Sequence, residues 1–247
     1  MYDWTEVRDE TDALWSAVRA RLGGTGPRAV DRATDMWAAW RSPDLFLGQT
    51  CGFPYRTALH GRATLVGTPD YGLPGLEPGY YQSVMVARTD EAGADWRDFL
   101  DRRLAINGPD SQSGWAAPQN MAAEASGRFT RVRETGSHRQ SAEDVAAGHA
   151  DIAAIDAVTW RLVERFRPDV VRRLTILTRT PPTPGLPFIT GRATLAPALF
   201  DALGAAIATL PSSTTGLRGI VAIPAEAYLA VPVPAPLTDA ERLPRDA

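Results

Sequence analysis

The residues best suited to hold a ligand fall in one stretch, Asn107-Gly-Pro-Asp-Ser-Gln-Ser-Gly-Trp115. Residues 104–106 are apolar and fit a short buried strand, and Gly108-Pro109 breaks it. The run from Trp115 onward, rich in Ala, Met and Gln, has helix-forming composition. Asp110, Ser111, Gln112 and Ser113 therefore gather at a helix N-terminus, where about four backbone N–H groups lack intrahelical partners. Those donors, two hydroxyls and the helix dipole suit an anion or a strongly polar oxygen group. Ordinary N-capping accounts for one Ser or Asp. The density of polar groups directly after a buried strand is what points to a ligand site.

The elements that must position this cluster alternate along the chain. Val7, Thr11, Leu14, Trp15, Val18 and Leu22 share one face of a helix that Gly23-Gly24 stops. A second helix is expected near 31–41, stacking Ala33, Met36, Trp37 and Trp40, and others near 113–125, 138–147, 157–166 and 196–209. Strands are expected at 44–47, 63–66, 83–87, 129–133, 152–155, 174–177 and 188–190. Strands alternating with helices of this length predict an α/β fold built on open sheets, where ligands sit beyond the carboxyl ends of strands. Thr50, Cys51 and Tyr55 follow the first strand, Ser137 and His138 the one ending near 133, and Asp156 and Thr159 the one ending at 155. Each has a plain alternative: Ser137 and Asp156 as helix caps, His138 as a surface residue, Tyr55 as packing. Residues 217–223 and 228–233 read as a short strand and an extended segment, with a frayed proline-rich tail beyond Pro234.

Composition narrows the chemistry. The chain has 247 residues, 44% hydrophobic and 22% charged, enough for one large domain or two smaller ones. A net charge of −3 gives no global positive field, so no nucleic acid partner is expected. The arginines between 161 and 179 read as a solvated face interleaved with acids. The sequence contains no lysine, which excludes Schiff-base catalysis, a pyridoxal-phosphate linkage and a P-loop lysine. One cysteine, Cys51, excludes an internal disulfide, and His60, His138 and His149 form no metal-ligand spacing. No cofactor or metal is expected. No stretch approaches the ~18 apolar residues of a membrane helix, so membrane insertion is not expected. The N-terminus lacks a leader pattern, which places the chain in the cytoplasm as written, and in the periplasm or at the cell surface if the N-terminus is truncated.

Four blocks carry a resemblance: Gly48-Gln-Thr-Cys-Gly-Phe-Pro-Tyr55, Asn107 through Trp115, Glu134-Thr-Gly-Ser-His138 and Asp151-Ile-Ala-Ala-Ile-Asp-Ala-Val-Thr-Trp160. In this order they resemble the phosphate/phosphite/phosphonate substrate-binding proteins of ABC importers, over residues 44 to 190. The resemblance implies a two-lobed type II periplasmic-binding-protein-like α/β fold, each lobe an open sheet flanked by helices. Lobe one would be 1–83 and 186–247 and lobe two 84–185, with crossing strands near 81–88 and 177–188 as the hinge and ligand in the cleft. It implies that Ser111, Gln112, Ser113 and the Gly114 backbone hold the oxyanion. His138 and Asp156 complete the set, with Tyr55 as an aromatic lid and Tyr2 and Thr50 as further contacts from lobe one. An acidic group at 156 favours a ligand that also carries an amine or hydroxyl. An ABC permease is the candidate partner, and a monomer is expected. Because the chain starts with Met1-Tyr-Asp where family chains have apolar residues upstream, the first strand of lobe one is expected to be missing. Cys51 fits an oxidising compartment poorly.

Other readings stay open. Ser113, His138 and Asp156 are the residue types a serine hydrolase triad would need, although the G-x-S-x-G pattern is broken by Ser111. A dehydratase or pyrimidine-synthesising enzyme can occupy the same fold. A cytoplasmic ligand sensor would need an exposed apolar patch, for which Trp4, Trp37, Trp40 and the Pro-Val-Pro-Ala-Pro run are the places to look.

Overall fold

The computed structural model describes residues 2–244, which divide into two compact units. Of the described residues, unit 1 holds 2–80 and 184–231; unit 2 holds 81–183 and 232–244. In chain order the strands are β1 (Gly48–Gln49), β2 (Thr64–Asp70), β3 (Tyr80–Tyr81), β4 (Ser83–Arg88), β5 (Arg103–Ile106), β6 (Arg131–Glu134), β7 (Ile152–Asp156), β8 (Leu174–Arg179), β9 (Thr183–Pro184), β10 (Phe188–Thr190) and β11 (Gly219–Val221). The helices are α1 (Arg8–Arg21), α2 (Met36–Arg41), α3 (Gly52–Pro54), α4 (Ala117–Glu124), α5 (His138–Ala147), α6 (Ala157–Phe166), α7 (Pro168–Val171), α8 (Ala196–Ile207) and α9 (Ala225–Leu229). The chain passes from one unit to the other at 80/81, 183/184 and 231/232. The first two passages fall inside β3 and β9, which pair as a two-stranded sheet.

Unit 2 is a five-stranded sheet in the order β6-β5-β7-β4-β8. β5 runs parallel to β6 and β7, whereas β4 runs antiparallel to β7 and β8. β4 and β7 are central and buried on both faces, which explains why Val84-Met-Val-Ala87 and Ile152-Ala-Ala-Ile155 read as unbroken apolar runs. Met85, Leu104, Ile106, Ile152 and Ala154 face a core that holds Phe99, Trp115 and Phe129. The helices α5 and α6 pack against β4 and β7. Ser137 caps α5 by accepting the Gln140 N–H at 3.1 Å, and Gly148 ends it at φ +84°, a conformation that favours glycine.

Unit 1 has a four-stranded sheet, β1-β10-β2-β11, in which every neighbouring pair is antiparallel. α1 and α8 pack together over β2, enclosing Val18, Val66, Leu199 and Leu203. A separate cluster joins Trp40, Tyr55, Leu59, Ile189 and Tyr228.

Several expected elements differ. Residues 44–47 form no strand; Leu45 supplies its carbonyl to Gly191 and Thr190 instead, and pairing begins at Gly48. The second helix starts at Met36, because Asp35 caps it by accepting the Ala38 N–H, and 31–34 form a turn around the Asp31 carboxylate. Segment 228–233 begins in helix: Tyr228 and Leu229 end α9, and Tyr228 is buried. The tail placed with the first lobe lies with unit 2 and is tied down. The Arg128 guanidinium binds the Glu241 carboxylate through Nε at 2.6 Å and Nη2 at 3.0 Å. The Leu243 N–H donates to Val132 O at 2.8 Å, covering the open edge of β6.

Candidate functional site

In unit 2 the carboxyl ends of β5, β6, β7 and β8 and the start of β4 lie at one edge of the sheet, a consequence of the strand directions. Ser83 pairs with Asp156 and Val84 with Arg179. That edge therefore collects Ser83, Asn107, Asp156 and Thr180, and the helices α4, α5 and α6 begin there. Ser83 is fixed from both sides: its N–H donates to Thr180 Oγ1 at 2.9 Å, and its hydroxyl donates to Ser113 O at 3.0 Å.

The helix after β5 does not begin as an α-helix. Gln112–Ala116 make a π-helical turn, closed by the Ala116 N–H donating five residues back to Ser111 O at 2.9 Å, before α4 continues. Ser111 is its N-cap, and its Oγ accepts the Gly114 N–H at 3.0 Å. The Ser113 N–H has no acceptor among the described residues, so one of the terminal donors stays available to a ligand. Ser111, Gln112 and Ser113 are all buried, and their hydroxyls lie 3.4 Å apart at 111 and 113. Gly114 is required by close approach: a Cβ there would collide with Asn107 Oδ1 and stand 3.3 Å from His138 Cε1.

His138 opens α5, with its Nε2 2.7 Å from Ser113 Oγ. Its residue is half-buried, and its Nδ1 is enclosed and makes no hydrogen bond. Burial pushes the imidazole down to about 4, partly offset by the Ala154 main chain behind it, so the ring is neutral near pH 7. Asp156, 2% exposed, spends one oxygen on α6, accepting the Val158 N–H at 2.7 Å and the Thr159 N–H at 3.0 Å. No carboxylate orients His138 through Nδ1. The third link of a Ser–His–Asp triad is thus not made, and Ser113–His138 is a dyad.

The candidates from the first unit have other surroundings. Tyr55 is 3% exposed, packed edge-on to Tyr228 at 5.3 Å and His60 at 5.9 Å, and burial raises its phenol pKa. Thr50 is buried, with its N–H bonded to Pro187 O at 3.0 Å. Tyr2 sits edge-on to Tyr71 at 5.0 Å, and Cys51 is buried and in no disulfide. Among the described residues no group of His, Cys, Asp or Glu is arranged to hold a metal ion, and no helix is long and apolar enough to cross a membrane.

A profile of the family described as "ABC transporter, phosphonate, periplasmic substrate-binding protein" matches residues 29–229. The chain belongs to this family. A search of curated proteins finds no match. Among solved structures it is similar to PhnD1 from Prochlorococcus marinus in complex with methylphosphonate, with a TM-score of 0.70 and 15% identity, covering 91% of this chain and 90% of that one. It is also similar to XAC2383 from Xanthomonas citri bound to ATP, with a TM-score of 0.65, 18% identity and 90% of each chain covered. A third is the binding-protein component PA3383 of an ABC phosphonate transporter from Pseudomonas aeruginosa, with a TM-score of 0.64 and 16% identity, covering 86% of this chain and 76% of that one. At these identities the likeness establishes the fold, the two-lobed periplasmic-binding-protein-like α/β architecture expected from the sequence blocks.

Within this family frame the structure adds residues that the sequence reading passed over. Asn107 lies beside Gly114 with its Oδ1 enclosed and without a partner. Ser83 and Thr180 meet from strands almost a hundred residues apart in sequence. Asn107 had a signal, since it ends β5 and precedes the Gly-Pro break. Ser83 and Thr180 had none, because their pairing depends on β4 lying beside β8.

Proposed function

We propose that this chain is a solute-binding protein that holds a small oxyanion-bearing molecule of the phosphate or phosphonate class at Ser111–Gly114, and that it does so without chemistry. The observation that carries this reading is the open Ser113 N–H at a capped helix start, with the Ser113 hydroxyl beside it. A hydrogen bond to a charged group contributes about 1.5–3 kcal/mol, so a few such donors suffice for micromolar binding, about −8 kcal/mol. The family match and the methylphosphonate held by the Prochlorococcus neighbour support the ligand class. The Ser113–His138 dyad without an orienting carboxylate supports binding over hydrolysis. An ABC permease as partner and a monomeric state follow from the same family reading. The compartment, cytoplasmic for the chain as written or periplasmic with an upstream leader, is settled by fractionating cells that express the full gene.

The test is thermal unfolding against phosphate, phosphite, alkyl- and aminoalkylphosphonates, sulfate and carboxylates, with Ser113→Ala alongside. A ligand at ~100 times its Kd stabilises by about 2.7 kcal/mol. A shift with a phosphorus oxyanion that Ser113→Ala abolishes supports the reading. No shift with any oxyanion overturns it.

A further inference from the structure

The π-helical turn that presents Ser113 is poorly held by its own backbone. Ala116 and Ala117 donate five residues back, to Ser111 O and Gln112 O. The next rung of that register would need an N–H at 118, where proline has none. Ser113 O takes the Ser83 hydroxyl instead, at 3.0 Å. A π-turn is a rare geometry, so its neighbours must fix it. One neighbour is β4, through Ser83. Another is the segment around Arg128. Gln119 of α4 donates to Phe129 O at 2.9 Å and accepts the Phe129 N–H at 3.2 Å, which pins that segment beside the helix. The Arg128 guanidinium then lies over the Trp115 ring, 5.5 Å from its centroid. Trp115 directly follows Gly114 and is buried.

Arg128 is held in turn by the tail. Its Nε and Nη2 grip Glu241 at 2.6 and 3.0 Å. Nη2 also donates to Pro236 O at 2.9 Å, and Nη1 to Ala235 O at 3.3 Å. The flat guanidinium fork is thus committed to the tail on its edges and to Trp115 on its face. Leu237 packs against the core cluster that contains Trp115. Asn120 of α4 donates to Pro232 O at 2.9 Å. All of these residues belong to unit 2. The tail therefore meets α4 directly at 120 and, through Arg128, reaches the turn at 115, two residues from Ser113.

We propose that residues 232–244 clamp the oxyanion site, with Arg128 as the positioning residue. The docked tail holds the Gln112–Ala116 turn in the form that binds, and release of the tail weakens binding. The inference rests on the oxyanion reading of Ser111–Gly114 and deepens it. Docked and released tail are two states with different affinities, so the effect is reciprocal. The factor by which release lowers affinity is the factor by which a bound oxyanion favours the docked tail.

The experiment is calorimetric titration of methylphosphonate into the whole chain and into Glu241→Lys, paired with hydrogen exchange of the tail amides with and without methylphosphonate. Glu241→Lys sets like charges together at Arg128 and leaves Arg128, Trp115 and the serines in place. The expected result is a Kd raised about fivefold in the variant. Its added positive charge alone would favour an anion, so the loss cannot come from the charge itself. In the unmutated chain, saturating methylphosphonate raises the protection of the Leu243 N–H, which opens locally, by a similar factor. Arg128→Lys, which keeps the charge but not the planar fork, also weakens binding. An unchanged Kd in Glu241→Lys with the tail amides unprotected overturns the proposal, since the tail would then be only a cover for the β6 edge. Tail protection that methylphosphonate leaves unchanged in the unmutated chain also overturns it, and this arm decides even if the variants fold poorly. Absence of binding of phosphate, phosphite and methylphosphonate to the unmutated chain removes the oxyanion reading, and this inference with it.

Discussion

The two units answer differently to the same sequence pattern, polar residues just after an apolar run. In unit 1 Thr50 and Tyr55 end up inside, and Tyr55 joins Tyr228 in a packed cluster. In unit 2 Ser111, Ser113 and His138 are drawn to one edge, with a backbone donor still open. Strand direction makes the difference. The strand-end rule presumes parallel strands whose carboxyl ends feed helix N-termini, as β5, β6 and β7 do. The unit 1 sheet is antiparallel throughout and its β1 has two residues, so no common edge gathers the loops. A polar residue after a strand signals a site only once the sheet's direction is known.

Mutations that separate packing from binding sharpen this contrast. The largest effect is expected in unit 1. Tyr228→Ala removes a buried ring and its 2.5 Å hydrogen bond with Thr68, and should cost about 3–5 kcal/mol in chemical denaturation. Tyr55→Phe keeps the ring and should leave both stability and oxyanion affinity near the original; a large affinity loss would break the contrast. In unit 2 the sensitivity reverses. Ser113→Ala should weaken an oxyanion by about 1.5–3 kcal/mol, roughly ten- to a hundredfold by calorimetry, with little change in Tm. Gly114→Ala should do both, since its Cβ must displace Asn107 and the ring of His138. A destabilisation of about 1–3 kcal/mol with loss of binding is expected.

The smallest effect concerns the tail. The Arg128 guanidinium holds Glu241 down at about 2, well below its unfolded value. A carboxylate depressed in the folded state adds stability that is present above its unfolded pKa, about 4.3, and lost as pH falls through about 2. The hydrogen-exchange protection factors of residues 236–244, taken against the intrinsic rate at each pH, should therefore fall on acidification through that window before the core of unit 2 loosens. Glu241→Gln should bring the same loosening to neutral pH. An unchanged exchange rate in the variant would show that the Leu243–Val132 bond holds the tail without the ion pair.

Much of unit 2 was legible. The bounds 138–147 and 157–166 match α5 and α6, because Ser137 and Asp156 are caps with the residue types that caps require, and Gly148 stops α5 where a left-handed residue is needed. The serine cluster was legible for the same reason, since local chemistry sets a helix start. Long-range features were not. The π-helical turn at Gln112–Ala116 has no composition of its own, and the Ser83–Thr180–Ser113 connection depends on antiparallel β4 entering between parallel strands. In unit 1 the short strands and α9 follow tertiary contacts such as Tyr228 with Thr68, which override the extended look of the segment around Tyr228. The return of the tail to unit 2 is set by Arg128 and Glu241, more than a hundred residues apart.

That return also fixes where the two ends of the chain reside. Residues 2–80 belong to unit 1 and 232–244 to unit 2, so the two ends of the described chain lie on different units. A fluorescent donor fused at one end and an acceptor at the other would ride on different units, and energy transfer between them would read the distance between the units directly. The lone thiol of Cys51 is buried in unit 1, so terminal labelling leaves it unmodified.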